Sequence, residues 1–120
     1  MRPGAPLVAI ALAVVLSACS TNISTINARP DKYYEHKVSF TGHIQRMQFL
    51  AHETLLELAD ARGGRIIVKS AEPVEAEVGD WAEVTGVLVP EMRIEEVVVY
   101  DVLAAEKIRR TRAPRFGNLM

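Results

Sequence analysis

"KVSFTGHIQRM", residues 37–47, decides how this chain folds. Val38, Phe40, Gly42 and Ile44 fall on one side of a two-residue repeat, and Ser39, Thr41, His43 and Gln45 on the other. Alternation at that period marks a β-strand with one buried and one wet face. Gly42 stands in the apolar row with no side chain to pack, so the strand is expected to bend or bulge there.

The same grammar repeats downstream. "TLLELAD", residues 54–60, reads as a second strand, with Leu56 and Leu58 on one side and Leu55 and Glu57 on the other. "DARGG", residues 60–64, supplies a turn tolerant of positive φ. "RIIVK", residues 65–69, is a third strand. "SAEPVEAEVGD", residues 70–80, is broken by Pro73 and a Gly79-Asp80 turn, and reads as a loop or a stunted helix. "WAEVTGVLV", residues 81–89, is a fourth strand with Ala82, Val84, Gly86 and Leu88 on one face. "PEMR", residues 90–93, reads as a tight connection. Residues 94–108 begin as a fifth strand on the β-branched Val97, Val98 and Val99, with an end that is either strand or short helix. Ahead of the first strand, residues 24–34 read as a short helix and turn. Ser24 is its expected N-cap, Ile23 and Ile26 face the core, and Pro30 is the stop.

Five short strands, with a glycine inside the first and the fourth, point to a small all-β barrel, because closure removes sheet edges and glycine permits the coiling. The order resembles that of bacterial OB-fold lipoproteins and periplasmic OB-fold domains. The resemblance rests on Pro30, Tyr33, Val38, Gly42, Leu55, Leu56, Leu58, Asp60, Gly79, Asp80, Val84 and Gly86. It implies a five-stranded OB-fold-like barrel with a short N-terminal helix over residues 23–108.

The N-terminus carries a second signal. Arg2 precedes the nine-residue apolar run Leu7 to Val15, which is too short to cross a bilayer, and small residues follow it. That is the pattern of a secretory signal peptide. Leu16-Ser17-Ala18-Cys19, holding the only cysteine of the chain, resembles a bacterial lipobox. The resemblance implies a signal peptide over residues 1–18, acylation of Cys19, and membrane anchoring by more than one chain. Ser20 at the following position implies the periplasmic face of the outer membrane. Residues 19–22 then form a lipidated tether reaching roughly 10–15 Å when extended.

Charge is unevenly spread. From Cys19 to Glu106 there are eight basic and fifteen acidic residues; from Lys107 onward there are five basic residues and no acid. Residues 109–120 are therefore expected to form a basic C-terminal tail. Lys107, Arg109, Arg110, Arg112 and Arg115 are candidates for contact with a membrane or an acidic partner, each worth about 1 kcal/mol beside an anionic surface.

The sequence holds no nucleophile elbow, zinc-protease helix, P-loop or paired-cysteine motif, so no catalytic set, cofactor or metal is expected. His36, His43 and His52 are too scattered along the expected strand to converge on a metal. The candidate binding face is the polar surface of strands one to three: Arg46, Gln48, His52, Glu57, Arg62, Arg65 and Lys69. Its expected partner is an envelope protein, a peptide or a glycan. Nucleic acid is disfavoured, because residues 54–69 contain no aromatic and the body is acidic. Short loops at Gln48–Glu53 and Pro90–Arg93 argue against a deep small-molecule pocket. The alternative is a structural or stress-related envelope lipoprotein that contacts lipid or lipopolysaccharide through the basic tail.

The lipobox reading sets the first prediction. Protein extracted from its native membrane will have the intact mass of a chain starting at Cys19 plus lipid, and Cys19→Ala will abolish the lipid increment. An unlipidated chain cut at another residue would refute it.

Overall fold

The computed structural model describes residues 18–114. The expected signal peptide, apart from Ala18, and Arg115 lie outside the described residues. The elements are β1 (Cys19–Ser20), α1 (Ile23–Ala28), a 3-10 turn (Pro30–Lys32), β2 (Lys37–Phe49), β3 (Thr54–Ala59), β4 (Arg65–Ser70), β5 (Trp81–Ile94) and β6 (Val97–Thr111).

Five of the strands close on one another. β2 pairs antiparallel with β3, β3 with β4, and β5 with β6, while β4 and β6 are parallel. β5 then returns antiparallel to β2 and completes the ring. The ring is the expected barrel, and β1 is a sixth strand added parallel to β2.

β2 makes closure possible by serving two neighbours. Its first half, Lys37 to His43, pairs with β5, and its second half, His43 to Phe49, pairs with β3. The expected irregularity near Gly42 is real, although the register slips three residues later, at Gln45 between Ile44 and Arg46. Gly42 has a different task. A Cβ there would lie 2.9 Å from Ile23 Cδ1 and 3.1 Å from Leu58, so the bare backbone is what lets α1 approach the strand.

The inward rows of the strands form the core. Val38, Phe40, Ile44, Leu56, Leu58, Val68, Val84 and Leu88 are buried, and α1 closes the assembly with Ile23 and Ile26. The N-cap of α1 is Asn22, whose side chain accepts from Thr25 N at 2.8 Å, rather than the expected Ser24. Ser24 is used elsewhere. Its N–H and Oγ donate to the Asp60 carboxylate at 2.7 and 3.0 Å, and the Gly64 and Arg62 N–H groups donate to the same carboxylate at 2.7 and 3.1 Å. Asp60 thus ties the helix to the β3–β4 turn. Burial pushes its carboxyl pKa up, but the hydrogen bonds from Ser24, Gly64 and Arg62 outweigh that and hold it below the usual value.

Three further sequence expectations change. Pro90–Arg93 is not a turn: β5 runs through it to Ile94, and the reversal is made by Glu95, at φ +57°, and Glu96. The extra length gives β5 and β6 a two-stranded arm, Pro90–Asp101, in place of a short loop. The fifth strand stays strand to Thr111, so Lys107, Arg109 and Arg110 belong to the folded body and the expected tail boundary at 108/109 moves outward. Residues 19–22 are not a slack tether either. Cys19 and Ser20 pair with Val38 and Ser39, Thr21 N donates to Ser39 O at 3.0 Å, and Asn22 caps α1.

Two substitutions test these constraints. A Cβ on Gly86 would lie 2.3 Å from the Ala104 carbonyl oxygen, where the β5–β6 register slips past Glu106. Backbone cannot swing aside as a side-chain tip can, so Gly86→Ala should cost about 2–4 kcal/mol in urea unfolding. Asp60→Asn should cost about 1.5–3 kcal/mol at neutral pH, the usual loss for a charged acceptor with several donors. Because the folded carboxyl is depressed, its contribution is complete above the unfolded value of 3.8 and disappears as pH falls through the folded value. Stability of the wild type should therefore drop in that acid window, and the Asn variant should lose part of the drop. An unchanged acid limb would reject the assignment.

Candidate functional site

The outward residues of β2, β3 and β4 form two short rows across the sheet. Arg46 stands opposite Glu57 and Glu57 opposite Ile67; Gln48 stands opposite Leu55 and Leu55 opposite Lys69. Each row has a polar end on β2 and an apolar member further in. Two open hollows lie on this surface. One, of about 430 Å³, is lined by Arg46, Met47, Gln48, Leu55, Leu56, Glu57 and Ile67. The other, of about 230 Å³, is lined by Asn27, Glu57, Arg65, Ile66, Ile67, Tyr100 and Asp101. Glu57 and Ile67 line both, so together they make one shallow trough from β2 to the root of the β5–β6 arm.

Its electrostatics are mixed. The Glu57 carboxylate lies 3.9 Å from Arg46 Nε and 3.6 Å from Arg65 Nη1, and Lys69 Nζ lies 3.1 Å from Glu53 Oε1. Three cations thus share two carboxylates. Such pairs, with the carboxylates partly buried and two of the three cations open to solvent, stabilise the fold modestly. Their effect is on recognition: the trough offers donors and acceptors side by side around Leu55 and Ile67, without a strong field of either sign.

The arm forms the far wall. Tyr100 is 67% exposed at its root. Its neighbour Asp101 takes φ +55° and accepts a short hydrogen bond from the Tyr34 hydroxyl. That bond and the nearby Asp101 charge raise the Tyr34 pKa. Glu35 N donates to Leu88 O at 2.7 Å. The segment before β2 therefore braces β5 and β6 where the arm leaves the barrel.

Of the seven residues expected on the binding face, Arg46, Gln48, Glu57 and Arg65 line the trough, and Lys69 sits in the second row beside it. His52 is exposed in the β2–β3 loop and lines neither hollow. Arg62 is at the tip of the β3–β4 turn, in a separate hollow with Trp81. Leu55, Ile67, Tyr100 and Asn27 were missed. Leu55 and Ile67 carry a visible signal, since they are apolar residues in the outward phase of otherwise polar rows. Tyr100 was hidden because the arm was read as a short turn. Asn27 reaches β4 from α1 through Nδ2 to Arg65 O and from Arg65 N to its Oδ1, both at 3.1 Å.

Cys19 is exposed, beside a hollow lined by Lys32, Tyr33, His36 and Lys37. Lys37 is paired to Glu106 at 3.0 Å. Among the expected tail cations, Arg109 is bonded to Glu83, Lys107 is opposite Thr85, Arg110 is opposite Ala82, and Arg112 follows the end of β6. The histidines do not converge: among the described residues no cluster of three or more possible metal ligands occurs. His43 instead bonds Gln45 Nε2 through Nδ1 at 2.7 Å and packs on Trp81 with ring centroids 5.4 Å apart.

No protein-family model matches the chain, and no curated protein matches it by sequence. Solved structures do match in fold. A Leishmania major protein assigned as an aspartyl-tRNA synthetase superposes with a TM-score of 0.62 at 13% identity, over 83% of this chain and 22% of its own. This chain therefore spans about a fifth of that protein. A DUF3299 family protein of Pseudomonas aeruginosa superposes with a TM-score of 0.53 at 13% identity, over 82% of this chain and 99% of its own. Replication protein A of U. maydis, bound to single-stranded DNA, gives 0.51 at 17% identity, over 78% and 72%. At such identities the likeness shows the fold, an OB-fold-like barrel, and nothing finer.

Proposed function

We propose that the chain is a non-catalytic binding module that holds an extended segment of a protein partner in the trough between β2, β3, β4 and the β5–β6 arm. The observation that carries this reading is the composition of the trough: an apolar floor of Leu55 and Ile67, a polar rim of mixed sign, and an aromatic wall at Tyr100. An OB-fold uses this face and these loops for linear ligands. Apolar anchors flanked by donors and acceptors of both signs suit a peptide, whose side chains alternate and whose backbone offers both N–H and C=O.

A single-stranded oligonucleotide is the competing ligand, favoured by the likeness to replication protein A and by exposed Tyr100. Against it stand Glu53 and Glu57, which occupy the cations that would meet phosphate. The sequence adds a location to the proposal. With Cys19 acylated, the module works beside a membrane of the cell envelope, and Arg110 and Arg112 are free of acidic sequence neighbours to meet its head groups.

The test is site-specific photo-crosslinking in cells, with the crosslinker at Gln48 or Lys69. A discrete adduct with a protein partner is expected, and Tyr100→Ala should reduce it several-fold. Tyr100 is exposed enough that truncation leaves the fold intact. Fluorescence anisotropy with an oligothymidylate should show no binding tighter than about 10⁻⁴ M at physiological salt, the weak end of non-specific association. Micromolar binding of the oligonucleotide that Tyr100→Ala abolishes would replace the peptide with nucleic acid.

A further inference from the structure

A separate hollow of about 300 Å³ lies on the β2–β5 side of the barrel, away from the trough. It is lined by Thr21 of the N-terminal segment, Thr41 of β2, Trp81 and Glu83 of β5, Arg62 of the β3–β4 turn, and Pro114. Nothing in the proposed peptide-binding reading uses these residues.

We propose that this hollow is a site for a neutral saccharide. Three observations lead there. First, the indole of Trp81 lines the hollow and is steadied by His43, which gives a flat apolar surface of the kind that stacks on the C–H face of a sugar ring. Second, the hydroxyl-bearing Thr21, Ser39 and Thr41 line it together with Arg62 and Glu83. Hydroxyls donate and accept, guanidinium only donates and carboxylate only accepts, so the set matches a ring of hydroxyls that do both. Third, the charges exclude the main alternatives. Asp60 and Glu83 line the hollow with Arg62, and Arg109 neutralises Glu83 from beside it, so the site carries no net positive charge to hold a phosphate-bearing ligand. Asp60 is held by four N–H and O–H donors, and Glu83 is neutralised by Arg109 at Oε1, so neither presents an uncompensated charge to a cation, while Glu83 keeps its second oxygen to accept from a hydroxyl. A volume of 300 Å³ is at the small end for ligand sites, fitting a sugar unit or two rather than a large cofactor.

Trp81 is the only tryptophan of the chain, so its fluorescence reports on this hollow directly. The full chain is titrated with the N-acetylglucosamine trimer, with maltotriose and with an oligothymidylate. A saturable change of Trp81 emission is expected with at least one of the two sugars and not with the oligonucleotide. Arg62→Ala and Glu83→Gln, both on exposed side chains, should each weaken the sugar response at least tenfold, and Glu75→Ala should leave it unchanged. Thermal melts confirm that each variant is folded. The proposal is overturned if neither sugar changes the emission, if the oligonucleotide saturates the signal instead, or if Arg62→Ala and Glu83→Gln bind sugar as the wild type does.

Discussion

The five-stranded sheet of this molecule closes into a barrel through β2, which pairs with β3 along one half of its length and with β5 along the other. Thirteen residues are enough because the two jobs are done in series: residues 37–43 hold β5 and residues 43–49 hold β3, with His43 the shared register point. The bend this demands brings the inner face of β2 against the plug helix, and Gly42 is the position where Ile23 and Leu58 leave no room for a methyl group. The buried row of β2, the fit of α1 and the β3–β4 turn locked by Asp60 all follow from the same closure. Burial of Ile23 and Ile26 stabilises it by several kcal/mol, at about 1.5–3 kcal/mol for each fully buried aliphatic side chain.

The two candidate sites use opposite products of that geometry. The trough lies where the outward phase of β2 to β4 is left uncovered and the arm rises beside it. The Trp81 hollow lies where β2 has turned away from β3, so that the N-terminal segment and the β3–β4 turn stand apart across a gap. Both have carboxylates interleaved with cations, in keeping with the acidic body of the sequence. An open barrel face of this fold with a basic lining would speak for nucleic acid; this lining speaks for ligands held by shape and paired hydrogen bonds.

Much of this was legible in the sequence. The two-residue alternation of Val38–Ile44, Leu56–Leu58 and Ala82–Leu88 gave the strands and their buried faces, because inward and outward positions differ in polarity along each. The β5–β6 arm was not legible, for two physical reasons. Pro90 reads as a break, yet it lies where β5 has passed its last pairing with β2, so a missing N–H on that side leaves no bond unmade. The real reversal is at Glu95, a non-glycine residue at φ +57°, where no Asn-Gly or Asp-Gly signal marks a hairpin. With the arm misread, Tyr100 was lost from the site. The N-cap was misplaced by two residues because Asn22 and Ser24 are both good caps, and only Asp60, 36 residues away in the chain from Ser24, decides between them.

The pairing of β1 with β2 has a geometric outcome of its own. A group on a flexible leash samples a hemisphere of orientations, whereas Cys19 is hydrogen-bonded register against Val38, at the edge of a rigid ring. The lipid proposed for its thiol would be held at one bearing to the barrel. Such a group would shadow the side bearing Lys32, Tyr33 and His36 and fix the bearing of each remaining face. The lipid proposed for Cys19 would make that residue a keyed mount, setting the pose of the module along with its place.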